Sequence, residues 1–113
     1  GNSDVVFTDG SKDGIKCGCA FYYPRSKLNQ IFSLNRHLSI YTAEAIAILE
    51  ALKFCQRIGS KKIAVMTDSR SVLQSLENTT KLPKMNYVVR DIIKLLTELH
   101  CRSVTVTFYW TKA

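Results

Sequence analysis

Two stretches of this sequence end in the same way. Val5-Val6-Phe7-Thr8 runs into Asp9-Gly10-Ser11, and Ile63-Ala64-Val65-Met66-Thr67 runs into Asp68-Ser69. A short apolar, β-branched run bounded by turn residues reads as a buried strand. A carboxylate at the end of such a strand stands at the rim of a sheet, where open α/β sheets bind ligands. A third acid, Glu44, follows Thr42-Ala43 at the start of an Ala-, Ile- and Leu-rich stretch. At helical spacing it shares a face with Ala47, Ile48, Ala51, Cys55 and Ile58, whereas Glu50 falls with Lys53, Gln56 and Arg57 and reads as a solvated charge. An inward carboxylate is costly unless it is paired or holds a metal. A first-turn acid favoured by the helix dipole would account for the depth of Glu44 in the helix, not for its place on the apolar stripe. Asp68 also suits the N-cap of a following helix, a role compatible with binding a ligand. Three acids converging at one rim need a hard divalent cation. Two such ions about 4 Å apart would serve in-line attack at a phosphodiester.

Certain elements must bring these acids together. The first strand is expected over about Asp4 to Asp9, then a polar turn Ser11 to Gly14. A second strand, Ile15 to Tyr23, stops at Pro24, and a third runs from Gln30 to about Asn35. Short turns join them into an antiparallel meander. A helix from Thr42 to Ile58 precedes Gly59, and a fourth strand spans Ile63 to Thr67. A short helix begins at Asp68-Ser69, and Asn78 to Lys84, with Pro83, forms a loop. A longer helix over Asn86 to Leu99 carries Val88, Val89, Ile92, Leu95, Leu96 and Leu99 at helical spacing. Val104, Val106 and Phe108 alternate inward in a fifth strand ending at Trp110. The helical crossovers make strands one, four and five parallel. Their C-terminal ends, and the start of the first helix, then meet at one rim with Asp9, Glu44 and Asp68.

The 113 residues form one domain over 1–113, and 46% hydrophobic with 22% charged residues is a globular balance. No apolar run approaches the roughly 20 residues of a membrane span. A net charge of +7 favours an anionic partner, nucleic acid first and a membrane surface second, and Lys12, Arg36, Arg70 and Lys112 fall near the rim where phosphates would lie. Four cysteines, with no Cys-x-x-Cys pair, read as reduced core thiols of an intracellular, reducing compartment such as cytoplasm or nucleus.

Thr8-Asp9-Gly10-Ser11, Ala43-Glu44 and Thr67-Asp68-Ser69, with Gly18-x-Ala20 and Val106-x-Phe108-x-Trp110, together resemble the motifs of type 1 ribonuclease H domains. The flavour is closest to domains carried by non-LTR retrotransposons beside a reverse transcriptase. The resemblance covers essentially the whole chain. It implies an α/β, ribonuclease H-like mixed five-stranded sheet, antiparallel over strands 1-2-3 and parallel over 1-4-5, flanked by helices. It implies cleavage of the RNA strand of an RNA–DNA hybrid with two Mg²⁺ or Mn²⁺ ions. Asp9, Glu44 and Asp68 would be three of the family's four metal-binding carboxylates, and Gly10, Ser11 and Ser69 would approach the substrate. A fused reverse transcriptase, no membrane and a monomeric isolated domain are the partner expectations.

This chain departs from the family pattern in three places. The fourth carboxylate and a mobile catalytic His lie after strand five in the family, which predicts a domain truncated at its C-terminus, without the last helix. Neither His37 nor His100 is placed to substitute. Ile40 and Tyr41 stand where many cellular members carry Asn and Gln that read the minor groove. No separate basic helix precedes the long one. A catalytically incomplete nucleic-acid-binding module of the same fold is the alternative expectation.

Overall fold

The computed structural model describes residues 2–78 and 85–112. Its elements are β1 (Asp4–Lys12), β2 (Cys17–Tyr23), a 3₁₀ turn (Pro24–Ser26), β3 (Leu28–Leu34), α1 (Ile40–Arg57), β4 (Lys62–Thr67), α2 (Arg70–Glu77), α3 (Tyr87–Cys101) and β5 (Thr105–Trp110). The strands form one sheet in the order β3-β2-β1-β4-β5. β1–β2 and β2–β3 are antiparallel, while β1–β4 and β4–β5 are parallel. This is the mixed α/β sheet that the crossover rule predicts. The loop expected over Asn78 to Lys84, with Pro83, lies for the most part outside the described residues.

Local chemistry sets the boundaries. β2 starts two residues later than Ile15 because the Asp13 carboxylate accepts the amides of Ile15 (2.8 Å) and Lys16 (2.7 Å). That turn holds both residues off the ladder. α1 starts at Ile40 rather than near Thr42, because Ser39 is its N-cap and its hydroxyl accepts from the Thr42 amide at 3.1 Å. Gly59, at φ +74°, ends the helix: its amide donates to Gln56 and that of Ser60 to Cys55. Asn86 caps α3 by accepting from the amides of Val88 and Val89.

The core lies between the sheet and α1 and α3. Phe21, Ile48, Leu52, Ile63, Ile92 and Leu99 are among its fully buried side chains. Phe54 of α1 packs on Phe21 and Tyr23 of β2, with ring centroids 5.3 and 5.1 Å apart, an arrangement worth about 1 kcal/mol per pair beyond area burial. Cys17, Cys19 and Cys55 are core residues, but Cys101 is exposed because it closes α3 at its solvent end. Burial pushes the Cys55 thiol up to about 12, so it packs as a small apolar group. Ile58 is likewise exposed, beyond the last turn of α1. At the end of the sheet remote from the acids, the Asp4 carboxylate accepts from Tyr23 Oη (2.8 Å), Ser60 Oγ and Arg25 (2.7 Å). This ties β1 to the turn after β2 and the loop after α1. Among the described residues no helix is long and apolar enough to cross a membrane.

Candidate active site

β1 is longer than its expected end at Asp9. Its parallel pairing with β4 stops at Thr8↔Thr67, but its pairing with β2 continues from Asp9↔Ala20 to Lys12↔Cys17. β2 keeps β1 in the sheet after β4 turns away. Asp9 is therefore the first residue past a fork between two strands, not the last residue of one. It is exposed. Partial burial raises its pKa, the Asp68 charge raises it further, and the Gly10 amide acts in the opposite sense.

Gly10, the next residue on β1, faces α1. A Cβ at Gly10 would lie 2.7 Å from the Glu44 amide nitrogen and 2.8 Å from Glu44 Cγ. Only glycine lets the first turns of α1 sit this close to the strand. That contact brings Glu44 to the rim. Glu44 Oε1 accepts a 2.8 Å hydrogen bond from Ser69 Oγ. Burial raises the Glu44 pKa, the Ser69 bond lowers it, and the charges of Asp68 and Asp9 raise it again. Each of the three acids thus stands within electrostatic reach of another.

Asp68 follows the last residue of β4. It is not the cap of α2: that place belongs to Ser69, whose hydroxyl accepts from the Val72 amide at 3.4 Å. The Asp68 carboxylate is thereby left to other work, and its Oδ1 is buried with no hydrogen-bond partner. A buried carboxylate oxygen with no donor calls for a cation or a proton. All three candidate donors are carboxylates, the ligand type hard divalent cations take. The donor set fits such an ion in kind. Among the described residues, no three His, Cys, Asp or Glu side chains close on a single metal position, so the acids face one another at electrostatic range.

The remaining expected residues divide. Ser11 is exposed on β1. Ser69 is buried, with its hydroxyl committed to Glu44 and the α2 cap. Lys12 reaches back to the Leu38 carbonyl before α1. Arg36 and Lys112 are exposed, and Arg70 stacks over Trp110, 4.4 Å from the ring centroid. Tyr41 is a tie between helices, donating to Ser75 Oγ at 2.5 Å. Beside it a cleft of about 520 Å³ opens between α1, α2 and the residues just before α3, lined in part by Gln74, Met85 and Asn86. Sequence pattern missed Trp110 as a site neighbour: its indole Nε1 donates to the Asp68 carbonyl at 3.2 Å. The available signals were its place in the Val106-x-Phe108-x-Trp110 pattern and at the end of a strand parallel to the one that ends before Asp68.

Comparison with known proteins agrees with this architecture. A family model described as Reverse transcriptase-like matches residues 2–113. No curated protein shows significant sequence similarity. Among solved structures, RNase H1 from the halophilic archaeon Halobacterium salinarum superposes with a TM-score of 0.67 at 16% identity, covering 98% of this chain and 86% of that one. The N-terminal RNase H domain of a Mycobacterium tuberculosis protein gives a TM-score of 0.69 at 15% identity, covering 99% and 88%. The foamy viral protease-reverse transcriptase, solved with an RNA/DNA hybrid, gives 0.66 at 20% identity, covering 97% of this chain and 18% of that one. The fold is that of ribonuclease H, and the chain belongs to the reverse transcriptase-like family.

Proposed function

We propose that this chain is the nuclease domain of a retrotransposon-type protein and hydrolyses the RNA strand of RNA–DNA hybrids with divalent metal. The observation that carries the reading is the buried, partnerless Oδ1 of Asp68, on a residue whose charge raises the pKa values of Asp9 and Glu44. Asp9, Glu44 and Asp68 are the residues proposed to hold Mg²⁺ or Mn²⁺, two ions in the full reading. Bound divalent metal would supply an activated water and charge stabilisation at the phosphodiester. The chain's own residues do the rest. Gly10 sets how closely Glu44 approaches β1, and Ser69 orients the Glu44 carboxylate from the buried side. Gly10 and Ser11 lie where β1 runs on past the fork, open to a nucleic-acid backbone. The +7 charge draws a polyanion to the domain. Hybrids are the proposed substrate class because relatives of this fold have been solved with them.

One observation favours a second reading, a nucleic-acid-binding module without catalysis: the three acids do not close on one metal position. A labelled RNA–DNA hybrid and a labelled DNA duplex, each with and without Mg²⁺ or Mn²⁺, separate the two. Metal-dependent cutting of the RNA strand alone, lost in Asp9→Asn, is the expected result. Tight hybrid binding without cutting supports the binding module. Neither binding nor cutting would overturn both.

A further inference from the structure

Among the described residues, no hydrogen bond or ion pair tethers the Asp68 side chain. Its Oδ1 accepts no hydrogen bond, and none of the ion pairs among the described residues includes it. Such a carboxylate takes its direction from its own backbone. Two local bonds shape that backbone: the Ser69 amide donates to Thr67 Oγ1 at 3.1 Å, and the Arg70 amide donates to the Asp68 carbonyl at 3.2 Å. These bonds fold the turn on itself. The first also joins the turn to Thr67 at the end of β4, and the Ser69 hydroxyl joins it to Glu44 of α1.

A further contact, made to Asp68 itself, comes from 42 positions away. Trp110 pairs in register with Thr67, and beyond it the Thr111 amide donates to the Thr67 carbonyl at 2.8 Å. From this strand the Trp110 indole N–H reaches over and donates to the Asp68 carbonyl at 3.2 Å. The Arg70 guanidinium covers the ring face, a cation–π contact that restrains the plane of the indole. Edge and face of one ring are thus held by Asp68 before α2 and by Arg70, the first residue of α2. Trp110 is 45% exposed, so it is poorly explained as core packing. Its polar edge is what finds a partner.

We propose that Trp110 is a positioning residue for Asp68: its indole N–H locks the Asp68 carbonyl to β5 and so aims the Asp68 carboxylate at Asp9 and Glu44. This deepens the reading of Asp68 as a metal ligand and rests on it. Groups that orient a ligand without touching the ion commonly alter metal affinity by 10- to 100-fold when removed. Trp110→Phe is the informative change, since it deletes the N–H donor and the second ring but keeps an aromatic face for Arg70.

The test is calorimetric titration of the chain with Mn²⁺, for wild type, Trp110→Phe and Asp68→Asn, with metal-free melting curves beside each. The expected result is about a tenfold rise in the Mn²⁺ dissociation constant of Trp110→Phe, with its metal-free melting curve close to wild type. A merely structural Trp110 would lower the metal-free melting temperature and leave the affinity alone, which overturns the proposal. If Asp68→Asn loses binding while Trp110→Phe binds as wild type does, this inference falls and the metal site stands. If Asp68→Asn binds as wild type does, or wild type does not bind, the site reading falls and this inference with it. Hydrogen exchange of the wild-type indole proton is independent of any variant's folding. Slow exchange is expected, and exchange at the rate of a free indole overturns the proposal.

Discussion

The hydroxyl of Ser69 donates to Oε1 of Glu44 at 2.8 Å while accepting the amide of Val72, so one buried serine both caps α2 and holds an acid of α1. The Ser69 oxygen thus joins the two helices beside Glu44, and the Tyr41–Ser75 bond joins them again further along α2. Removing the Ser69 oxygen acts on both helices. Ser69→Ala is expected to destabilise the chain by about 1 to 2 kcal/mol through the lost cap. It should also raise the Glu44 pKa further, because the bond that opposes the raising causes is gone. Denaturant unfolding reads the first effect, and NMR titration of the Glu44 side-chain carboxyl reads the second. An unmoved Glu44 titration would show that the bond does not form in solution.

Without divalent metal, the acids at the rim work against folding as pH rises. Asp9 and Glu44 both have raised folded-state pKa values, so between their ordinary values near pH 4 and the raised ones the folded chain binds more protons than the unfolded chain. Stability therefore falls across that window as pH rises. Below the window both states are protonated and the penalty is absent; above it the penalty is fully present. Asp9→Asn is expected to raise the metal-free melting temperature at pH 7 and to flatten this slope. Thermal melts from pH 3 to pH 7 check it, and a variant no more stable than wild type at pH 7 would contradict the repulsion.

Asp4 shows the opposite sign. Burial acts to raise its pKa, but the Ser60 and Tyr23 hydrogen bonds and the Arg25 charge outweigh it, and the net value is lowered. Its stabilisation is present above the ordinary carboxylate range and is lost as pH falls through the depressed value. Asp4→Ala is expected to cost about 2 kcal/mol at pH 7, as hydrogen bonds to a charged group do, and much less at pH 2. Chemical unfolding at the two pH values makes the comparison. An equal loss at both would mean the charge contributes nothing.

Gly10→Ala places a methyl carbon 2.7 Å from the Glu44 nitrogen and 3.0 Å from the Ala43 carbonyl carbon. Both are backbone atoms, so no side chain can swing aside. α1 must move from β1 at its first turns, at a cost of about 1 to 3 kcal/mol for overpacking. Glu44 moves with it. Unfolding midpoints and Mn²⁺ titration should both shift, and an unaffected midpoint would refute the close approach.

Much of this was legible in the sequence. Two apolar runs ending Thr-Asp, three strands on short turns and helical crossovers fix the sheet order almost by themselves, because parallel strands leave few connections. Glu44 was legible from its apolar stripe. What escaped is instructive. Asp9 reads as a strand end because Gly and Ser follow it, yet β2 pairs with β1 for three residues more. A neighbour's register is invisible in a strand's own residues. The burial of Ser69 is not readable from its neighbours in sequence either, because it depends on where α1 lands. Trp110 reads as a strand aromatic; its bond to a residue 42 positions earlier has no local signature.

The fork between β1 and β4 also has a kinetic meaning. The β1–β2–β3 ladder closes through short turns, whereas β4 pairs with β1 only after α1 has crossed over. Non-local parallel pairing is the slower event in such topologies. Asp9 thus belongs to the early half of the molecule and Asp68 to the late half, and the rim where they meet is expected to be finished last. Pulse-labelled amide exchange during refolding should show the β2–β3 ladder protected before the Val6–Val65 region. The reverse order would mean that the parallel strands dock first.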